Sequence, residues 1–371
     1  MEGHIGLVVN PVAGLGGRVA LHGTDGVHAR SEALRRGALR WSPGRAVEAL
    51  RSLNGAAGVS LVTYPGEMGE DEAREAGFEP AVIGRIRRGR TGPGDTTRAA
   101  RDLVASGIDL LLFAGGDGTA RDVQAAIGMG PLALGIPAGV KIHSGVFATT
   151  PRDAGRLALE VVLGRLPAVR EGEVLDIDED AYRLGRVEAR LYGYLAVPAA
   201  RQGLQGVKTA GRTDAASLAG IASELAERVA ADGRRWLIGP GTTMRAVLDR
   251  LGLEGSLLGV DVVERRRLVA VDATERELLH LLDGRKAGLL LGVIGGQGYL
   301  LGRGNQQISP AVLRRVDRDA IVVAATPGKL AALGGRPLLV DTGDSELDRS
   351  FGGYLRVTTG YRIAVLYRVS G

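Results

Sequence analysis

An unbroken apolar run that leads directly into a glycine motif limits most strongly what this chain can fold into. Leu110-Leu111-Leu112-Phe113-Ala114 contains no polar residue, which is typical of a central parallel strand covered on both faces. Gly115-Gly116-Asp117-Gly118-Thr119 follows at once, and a helical pattern runs from Arg121 to Ile127. This order predicts a strand, a tight turn and a helix, with the motif at the carboxyl end of the strand.

The rest of the first 150 residues repeats this alternation. Further strands are predicted at Ile5–Val9, Val59–Val62, Ala81–Ile83 and Leu132–Ile136, and helices at Ala46–Leu53, Glu67–Glu75 and Thr96–Ser106. Strands that alternate with helices predict an α/β fold with a doubly wound parallel sheet. Ligands of such sheets bind at the carboxyl ends of the strands, where the glycine-rich loops of this chain lie.

The pattern changes after about residue 150. Glu173–Asp178 and Val187–Val197 partly alternate polar and apolar residues, which favours antiparallel strands with one solvated face. We therefore predict a nucleotide-binding α/β domain over residues 1–150 and a β-rich domain over 151–371 that completes the active site. Whether the last segment packs back on the first domain, and whether residues 18–44 form a lid, stays open.

Composition excludes several classes of protein. The 371 residues include no cysteine, which excludes disulfides and thiolate metal sites. The net charge of +5 is spread along the chain and aromatic residues make up only 4%, so we expect no nucleic-acid partner. No apolar stretch approaches the roughly 20 residues that span a bilayer. The first residues resemble no signal peptide. We expect a cytoplasmic enzyme that binds small molecules and no membrane.

The glycine motif predicts a phosphate-binding turn. Glycines after a buried strand let backbone N–H groups face phosphate oxygens, and the helix that follows adds partial positive charge. A carboxylate at this place would repel phosphate unless it had a task. Asp117 could coordinate Mg²⁺ or accept a proton from an attacking hydroxyl. Thr119 is predicted to cap the helix.

Other loops offer weaker nucleotide-binding candidates. Asn10 opens a second glycine loop that contains Gly14 and Gly16, and it follows the first strand. Thr96 stands at a predicted helix start, where a plain cap is the simpler interpretation. Gly241, Thr242 and Thr243 follow the strand at Trp236–Ile238 and open a helix. The five histidines show no metal-ligand spacing, and the metal ligands are left unassigned.

These motifs, in this order, resemble the ATP-NAD kinase superfamily, which also contains the diacylglycerol and sphingosine kinases. The chain is most similar to the ATP-NAD kinase-like branch that includes the acetoin-catabolism X proteins. That resemblance extends through Gly295-Gly296-Gln297-Gly298 and Gly302–Gln307. It implies an active site between an α/β domain and a β-rich domain, a catalytic Asp117, nucleotide contacts at Gly241–Thr243, and a homo-oligomer.

The acceptor site departs from the family pattern. NAD kinases carry an Asn-Glu pair in a strand of the second domain, and Leu191–Val197 contains no such pair. The loop after Ile136 also differs from the corresponding loops of NAD kinases and lipid kinases. Lys141, His143, Ser144 and Tyr194 are therefore only candidate acceptor contacts.

The leading hypothesis is a kinase that uses ATP and Mg²⁺ to phosphorylate a hydroxyl of a small polar acceptor, with NAD⁺, giving NADP⁺, as the first choice. The first alternative is a kinase for another acceptor, such as a nucleoside, a sugar alcohol or a lipid-like alcohol. The second is a nucleotide-binding regulator without turnover. The sequence does not distinguish ATP from polyphosphate as the donor.

Overall fold

A computed structural model divides the chain into two compact units. The structure describes residues 3–21, 32–53, 58–139, 142–165, 168–177, 189–199, 215–294 and 297–371. Unit 1 consists of Met1–Leu15 and Gly23–Val207, and unit 2 of Gly16–His22 and Lys208–Gly371. The segment from residue 151 to Val207 thus packs with unit 1. The change of pattern in the sequence had instead placed a domain boundary near residue 150.

Five parallel strands form the sheet of unit 1. They are β1 (Gly3–Val9), β2 (Val59–Thr63), β3 (Ala81–Val82), β4 (Leu110–Gly115) and β5 (Ala133–Pro137). Their order is β3-β2-β1-β4-β5, and Leu7 of β1 pairs with Thr63 of β2 and with Leu112 of β4. The strand order reverses between β1 and β4, which is where doubly wound sheets bind ligands.

Helices cover both faces of this sheet. They are α1 (Ser42–Arg51), α2 (Glu70–Glu75), α3 (Pro93–Ala105), α4 (Asp117–Ile127) and α5 (Pro151–Val162), with a short 3₁₀ turn at Gly66–Met68. One core contains Leu50 of α1 and Leu157 of α5. The opposite core contains Leu103 of α3 and Val123 of α4. The predicted doubly wound α/β domain is therefore confirmed.

An antiparallel pair completes unit 1. The strands β6 (Val169–Ile177) and β7 (Ala189–Pro198) pair with each other, as their alternating sequence predicts. Val174, Leu195 and Val197 are fully buried in the core that α3 and α4 share. This burial explains why the pair packs with unit 1.

Nine strands form the sheet of unit 2. They are β8 (Arg235–Ile238), β9 (Asp261–Glu264), β10 (Arg267–Ala270), β11 (Ala287–Gly292), β12 (Tyr299–Leu301), β13 (Ile321–Ala324), β14 (Leu338–Val340), β15 (Gly353–Gly360) and β16 (Ile363–Ser370). The order is β10-β9-β8-β11-β13-β15-β16-β14-β12, and β8, β11, β13 and β15 run parallel. The β-rich second half is confirmed, and the C-terminal hairpin β15–β16 belongs to this sheet.

Helices flank this sheet as well. They are α6 (Ala215–Ala231), α7 (Thr242–Leu251), α8 (Glu275–Leu281), α9 (Pro310–Leu313), α10 (Pro327–Ala331) and α11 (Ser345–Ser350), with 3₁₀ turns at Gly17–Val19 and Arg318–Ala320. Leu225 and Val247 lie in one core, and Leu278, Val312 and Leu330 lie in another. In the part of the chain that the structure describes, no helix is long and apolar enough to cross a membrane.

Candidate active site in unit 1

The carboxyl ends of β1 and β4 bring the first two glycine loops together. The backbone N–H of Asn10 donates to the carbonyl of Ala114 at 3.0 Å, which extends the pairing of the two strands by one residue. The side-chain amide of Asn10 donates to Oγ1 of Thr119 at 2.9 Å, and its Oδ1 accepts from the N–H of Val12 at 3.3 Å. Asn10 thus fixes the loop after β1 to the first turn of α4.

The turn into α4 is tighter than the sequence predicts. The helix begins at Asp117 with Gly116 as its N-cap, so the expectation that Thr119 caps it is wrong. Thr119 lies in the first turn, where it is buried. A Cβ on Gly115 would lie 2.3 Å from Oγ1 of Thr119, so this position accepts only glycine without displacing the threonine. The carbonyl of Gly115 accepts from the N–H groups of Ala138 and Gly139.

The carboxylate of Asp117 is buried and receives four hydrogen bonds. Its Oδ2 accepts from the backbone N–H of His143 at 2.7 Å and lies 3.0 Å from Nδ1 of the same residue. Its Oδ1 accepts from the backbone N–H of Ser144 at 3.0 Å and from the Ser144 hydroxyl at 2.6 Å. Two candidates for acceptor binding, His143 and Ser144, are therefore neighbours of the candidate catalytic aspartate.

Ser144 connects this cluster to β6. Its Oγ accepts from the N–H of Leu175 at 3.0 Å and lies 2.8 Å from the Leu175 carbonyl. A hydroxyl has a single proton, and the charged Asp117 oxygen is the stronger of its two neighbouring acceptors. The loop that contains His143 and Ser144 is thereby held between α4 and β6.

The loop after β1 also approaches the end of β5. Gly14 has a φ of +75°, and a Cβ there would lie 2.2 Å from the carbonyl oxygen of Ala138. The guanidinium of Arg45, which is 3% exposed, donates to the carbonyl of Pro137 at 3.2 Å. Arg45, which is also ion-paired with Glu48 at 3.2 Å, thus holds the loop after β5 against α1. The sequence gives no signal for this role, because a lone arginine in a helix is usually solvated.

Tyr194 of β7, the last of the candidate acceptor contacts, is more exposed than His143 and Ser144. Tyr194 is 37% exposed and stands opposite Glu173 in the β6–β7 pair. Its neighbour Tyr192 stacks on Arg121 of α4, whose guanidinium donates to Asp176 at 2.7 Å. Tyr192, which is not among the predicted site residues, therefore also links β7 to α4.

Two more of the predicted nucleotide-binding residues lie in other elements. Thr96 is buried inside α3, which begins at Pro93, and the capping carboxylate is that of Asp95, which accepts from the N–H of Gly92. Gly16 is the N-cap of the 3₁₀ turn in unit 2. Lys141 lies outside the described residues.

The Gly-Thr-Thr loop lies in unit 2 and opens α7, as the sequence predicts. Gly241 is the N-cap with a φ of +111°, and Thr242 is the first helical residue. The hydroxyl of Thr243, which is buried, accepts from the ammonium of Lys329 at 2.9 Å. Lys329 lies on α10, which follows β13. Sequence reasoning missed this lysine because the two residues are 86 positions apart.

The described residues do not form a protein cage for a metal ion. They contain no group of three or more histidine, aspartate or glutamate side chains that could hold one. The one candidate ligand, Asp117, has each carboxylate oxygen next to two protein donors. Mg²⁺ is often bound chiefly by substrate phosphates and water. The donor set therefore fits a magnesium ion that arrives with a nucleotide rather than a resident ion.

Family models match both halves of the chain. The ATP-NAD kinase N-terminal domain matches residues 5–166, and the ATP-NAD kinase C-terminal domain matches residues 231–369. The chain belongs to the ATP-NAD kinase family. The resemblance to the ATP-NAD kinase superfamily, which the sequence motifs indicated, is thus confirmed. The two-unit fold of this ATP-NAD kinase family member agrees with the two matched domains. A comparison with curated proteins found no significant match.

Proposed function

We propose that this ATP-NAD kinase family protein transfers the γ-phosphoryl group of ATP to a hydroxyl of a small polar acceptor, with NAD⁺ as the first candidate. The observation that supports this most directly is the buried cluster of Asp117, His143 and Ser144 at the carboxyl end of β4. It adjoins a helix N-terminus, in a chain whose two halves match the two ATP-NAD kinase domains.

The start of α4 is suited to phosphate. The first N–H groups of a helix have no partner inside the helix, and its N-terminus carries partial positive charge. Gly116 and Gly118 flank Asp117 without side chains that would cover these groups. Asn10 and Thr119 hold the turn in place. We propose that these backbone donors bind the phosphates of the nucleotide, with Gly14 shaping the neighbouring loop.

Phosphoryl transfer depends mainly on positioning and on charge neutralisation. Mg²⁺ bound to the nucleotide would neutralise charge on the phosphate oxygens. The protein itself supplies the helix N-terminus, the cluster around Asp117 and, in our proposal, the Gly241–Thr243 loop with Lys329 as further nucleotide contacts. The Lys329 ammonium that donates to Thr243 would give that loop a positive charge.

A kinase for a different hydroxyl acceptor is the second candidate, and one observation favours it. Strand β7, where the resemblance places the Asn-Glu pair of NAD kinases, carries Tyr192-Gly193-Tyr194 instead. Both tyrosines are partly exposed, which suits a flat or apolar acceptor group. A pure regulator is less well supported, because a buried carboxylate beside a phosphate site is costly unless it has a task.

The test is to measure ADP release from ATP and Mg²⁺ with and without NAD⁺, followed by mass spectrometry of the products. We expect ADP formation that depends on the acceptor, together with NADP⁺. If ATP binds but no NADP⁺ appears, the NAD⁺ assignment fails, and a screen of nucleosides, sugar alcohols and lipid-like alcohols decides between the remaining kinase and the regulator.

A further inference from the structure

We propose that the loop between β3 and α3 attracts the phosphate chain of the donor nucleotide to unit 1 through its positive charge, without direct contact. This loop, residues 83–92, is called the arginine loop. It contains no acidic residue and four arginines, Arg85, Arg87, Arg88 and Arg90. The inference rests on the proposed function, since it assigns the arginine loop a role in nucleotide binding.

Three of these arginines carry a charge that no acidic side chain neutralises. Arg88 is paired with Asp71. In the part of the chain that the structure describes, Arg85, Arg87 and Arg90 are exposed and form no ion pair. Charges of one sign on a short segment create a local potential that raises the concentration of an oppositely charged ligand nearby. The arginine loop is therefore a positive patch of unit 1.

The arginine loop is fixed by its apolar residues and by one carboxylate. Ile83 and Ile86 pack against the core that α3 and α4 share. The backbone N–H of Gly89 donates to Oε1 of Glu67 at 2.6 Å. Glu67 is itself paired with Arg40, so its charge is already balanced. Because the loop is held in this way, its free charges stay at one place on the surface.

The register of the sheet places the arginine loop at the same edge as the glycine motif. Val82, the last residue of β3, pairs with Thr63 of β2. Thr63 pairs with Leu7 of β1, which pairs with Leu112 of β4. These four strands are parallel, so the loops after β3 and β4 both leave the sheet at its carboxyl edge. Three strand spacings of about 4.8 Å separate β3 from β4, which is about 14 Å.

This separation is too long for contact and short enough for electrostatic attraction. The Debye length is about 30 Å at 0.01 M salt and about 3 Å at 1 M salt. A phosphate chain at the start of α4 is therefore attracted by the loop at low salt and not at high salt. The arginine loop contains no aromatic residue on which bases could stack, which favours the phosphates of a nucleotide over a nucleic acid.

The first test measures the Kd for ATP without an acceptor, at about 0.02 M and at about 0.5 M KCl. In the triple variant Arg85→Gln, Arg87→Gln, Arg90→Gln we expect the Kd to rise at least ~3-fold at the lower salt and less than about 1.5-fold at the higher salt. The triple lysine variant at the same positions should bind ATP within about 1.5-fold of wild type, because it keeps the charge. Equal Kd values of wild type and the glutamine variant at the lower salt would overturn the inference.

This measurement separates the inference from the kinase proposal, because it requires no turnover. If wild type binds ATP but transfers phosphate to no acceptor, the kinase proposal fails and the comparison of Kd values still decides the role of the arginine loop. If wild type does not bind ATP at either salt, both are wrong. If the protein is a kinase, kcat of the glutamine variant at saturating ATP should stay within about 2-fold of wild type, because only binding is weakened.

The matched control removes the same charge from unit 2. Arg265, Arg266 and Arg267 are exposed where β9 turns into β10. Their triple glutamine variant should keep the Kd for ATP within about 1.5-fold of wild type at both salts. An equal rise of the Kd in both glutamine variants would show that net charge, and not the arginine loop, governs binding, and would overturn the inference.

A labelled RNA oligonucleotide of mixed sequence tests the other class of partner. We expect that the glutamine variant of the arginine loop loses affinity for ATP at low salt and that wild type binds the RNA no more tightly than it binds ATP. A variant that lost binding of the RNA and kept its Kd for ATP would show that the arginine loop is a nucleic-acid surface, and the inference would be wrong.

Discussion

Asp117 connects three parts of unit 1 through one carboxylate. It lies at the start of α4, accepts from the loop residues His143 and Ser144, and through the Ser144 hydroxyl reaches Leu175 of β6. The sequence identifies Asp117 as a candidate because a carboxylate between glycines is unusual. It could not identify the bonds, since their partners are 26 and 27 positions away.

The first prediction concerns Asp117→Asn. The amide has the same shape as the carboxylate. One carboxylate oxygen, which accepts hydrogen bonds, would be replaced by an NH₂ group that faces two donors. We expect turnover to fall at least ~100-fold, as for loss of a positioned base, with little change in the KM for ATP. A folded variant with unchanged turnover would remove Asp117 from the mechanism.

A second residue-scale prediction concerns Glu72 on α2. This carboxyl is 4% exposed, and burial is the largest of the causes that raise its pKa from 4.5 to about 7. Between about pH 4.5 and pH 7 the folded state therefore keeps a proton on Glu72 that the unfolded state releases. The contribution of this bound proton to the free energy of unfolding is complete below about pH 4.5 and is lost as the pH rises through about 7. The shift in pKa corresponds to a change of about 3 kcal/mol.

Glu72→Gln tests this dependence, because the amide cannot ionise. Urea unfolding at intervals from pH 5 to pH 8 should show that the free energy of unfolding of the variant declines less than that of wild type. Glu75→Gln, at an exposed position on the same helix, is the control and should follow wild type. Parallel curves for wild type and Glu72→Gln would show that Glu72 is ionised in the folded protein.

At the scale of elements, hydrophobic pattern and glycine position predict most of unit 1. The strands of its sheet appear near the expected places, because a buried parallel strand needs a continuous apolar run. Helix starts are less predictable. The starts of α3 and α4 lie before the expected capping residues, since Gly92 and Gly116 serve as N-caps. Short helices and strands of unit 2, such as α10 and β14, have too few residues to show a period.

The third prediction tests the tight turn between β4 and α4. Gly115→Ala would place a methyl group 2.3 Å from Oγ1 of Thr119, which would have to leave Asn10. We expect the free energy of unfolding to fall by about 1–3 kcal/mol, the usual cost of overpacking, and turnover to fall as well. Thermal unfolding and ADP release measure the two effects.

Gly94→Ala is the matched control for this turn. Gly94 lies in the first turn of α3, and a Cβ there would meet no atom within 4 Å. Alanine at this site should leave turnover unchanged and raise stability by up to about 1 kcal/mol, because it lowers the entropy of the unfolded chain. Equal effects of the two substitutions would argue against a specific role for Gly115.

At the scale of the whole molecule, the change of sequence pattern and the change of packing fall at different places. The alternating strands β6 and β7 read as the start of a β-rich domain. Their apolar faces nevertheless lie in the core beside α3 and α4, so they pack with unit 1. Alternation reveals that a strand buries one face. It does not reveal which element covers that face.

The last prediction follows from the composition of unit 2. Both hydrophobic cores of its described residues are built from residues between Ile221 and Val369, and the nine strands of its sheet lie between Arg235 and Ser370. The one distant piece, Gly16–His22, is short. Its contacts include an ion pair of 3.7 Å between Arg18 and Glu275, worth about 1 kcal/mol or less, and the packing of Gly17 against Gln306. We therefore expect a fragment of residues 208–371 to fold by itself.

Trp236, the one tryptophan in the fragment, is 2% exposed and reports on its core. Its fluorescence should be blue-shifted without denaturant and should shift to the red in one cooperative urea transition that coincides with loss of circular dichroism. A solvent-exposed emission before any urea is added would show that the nine-stranded sheet needs residues outside this range.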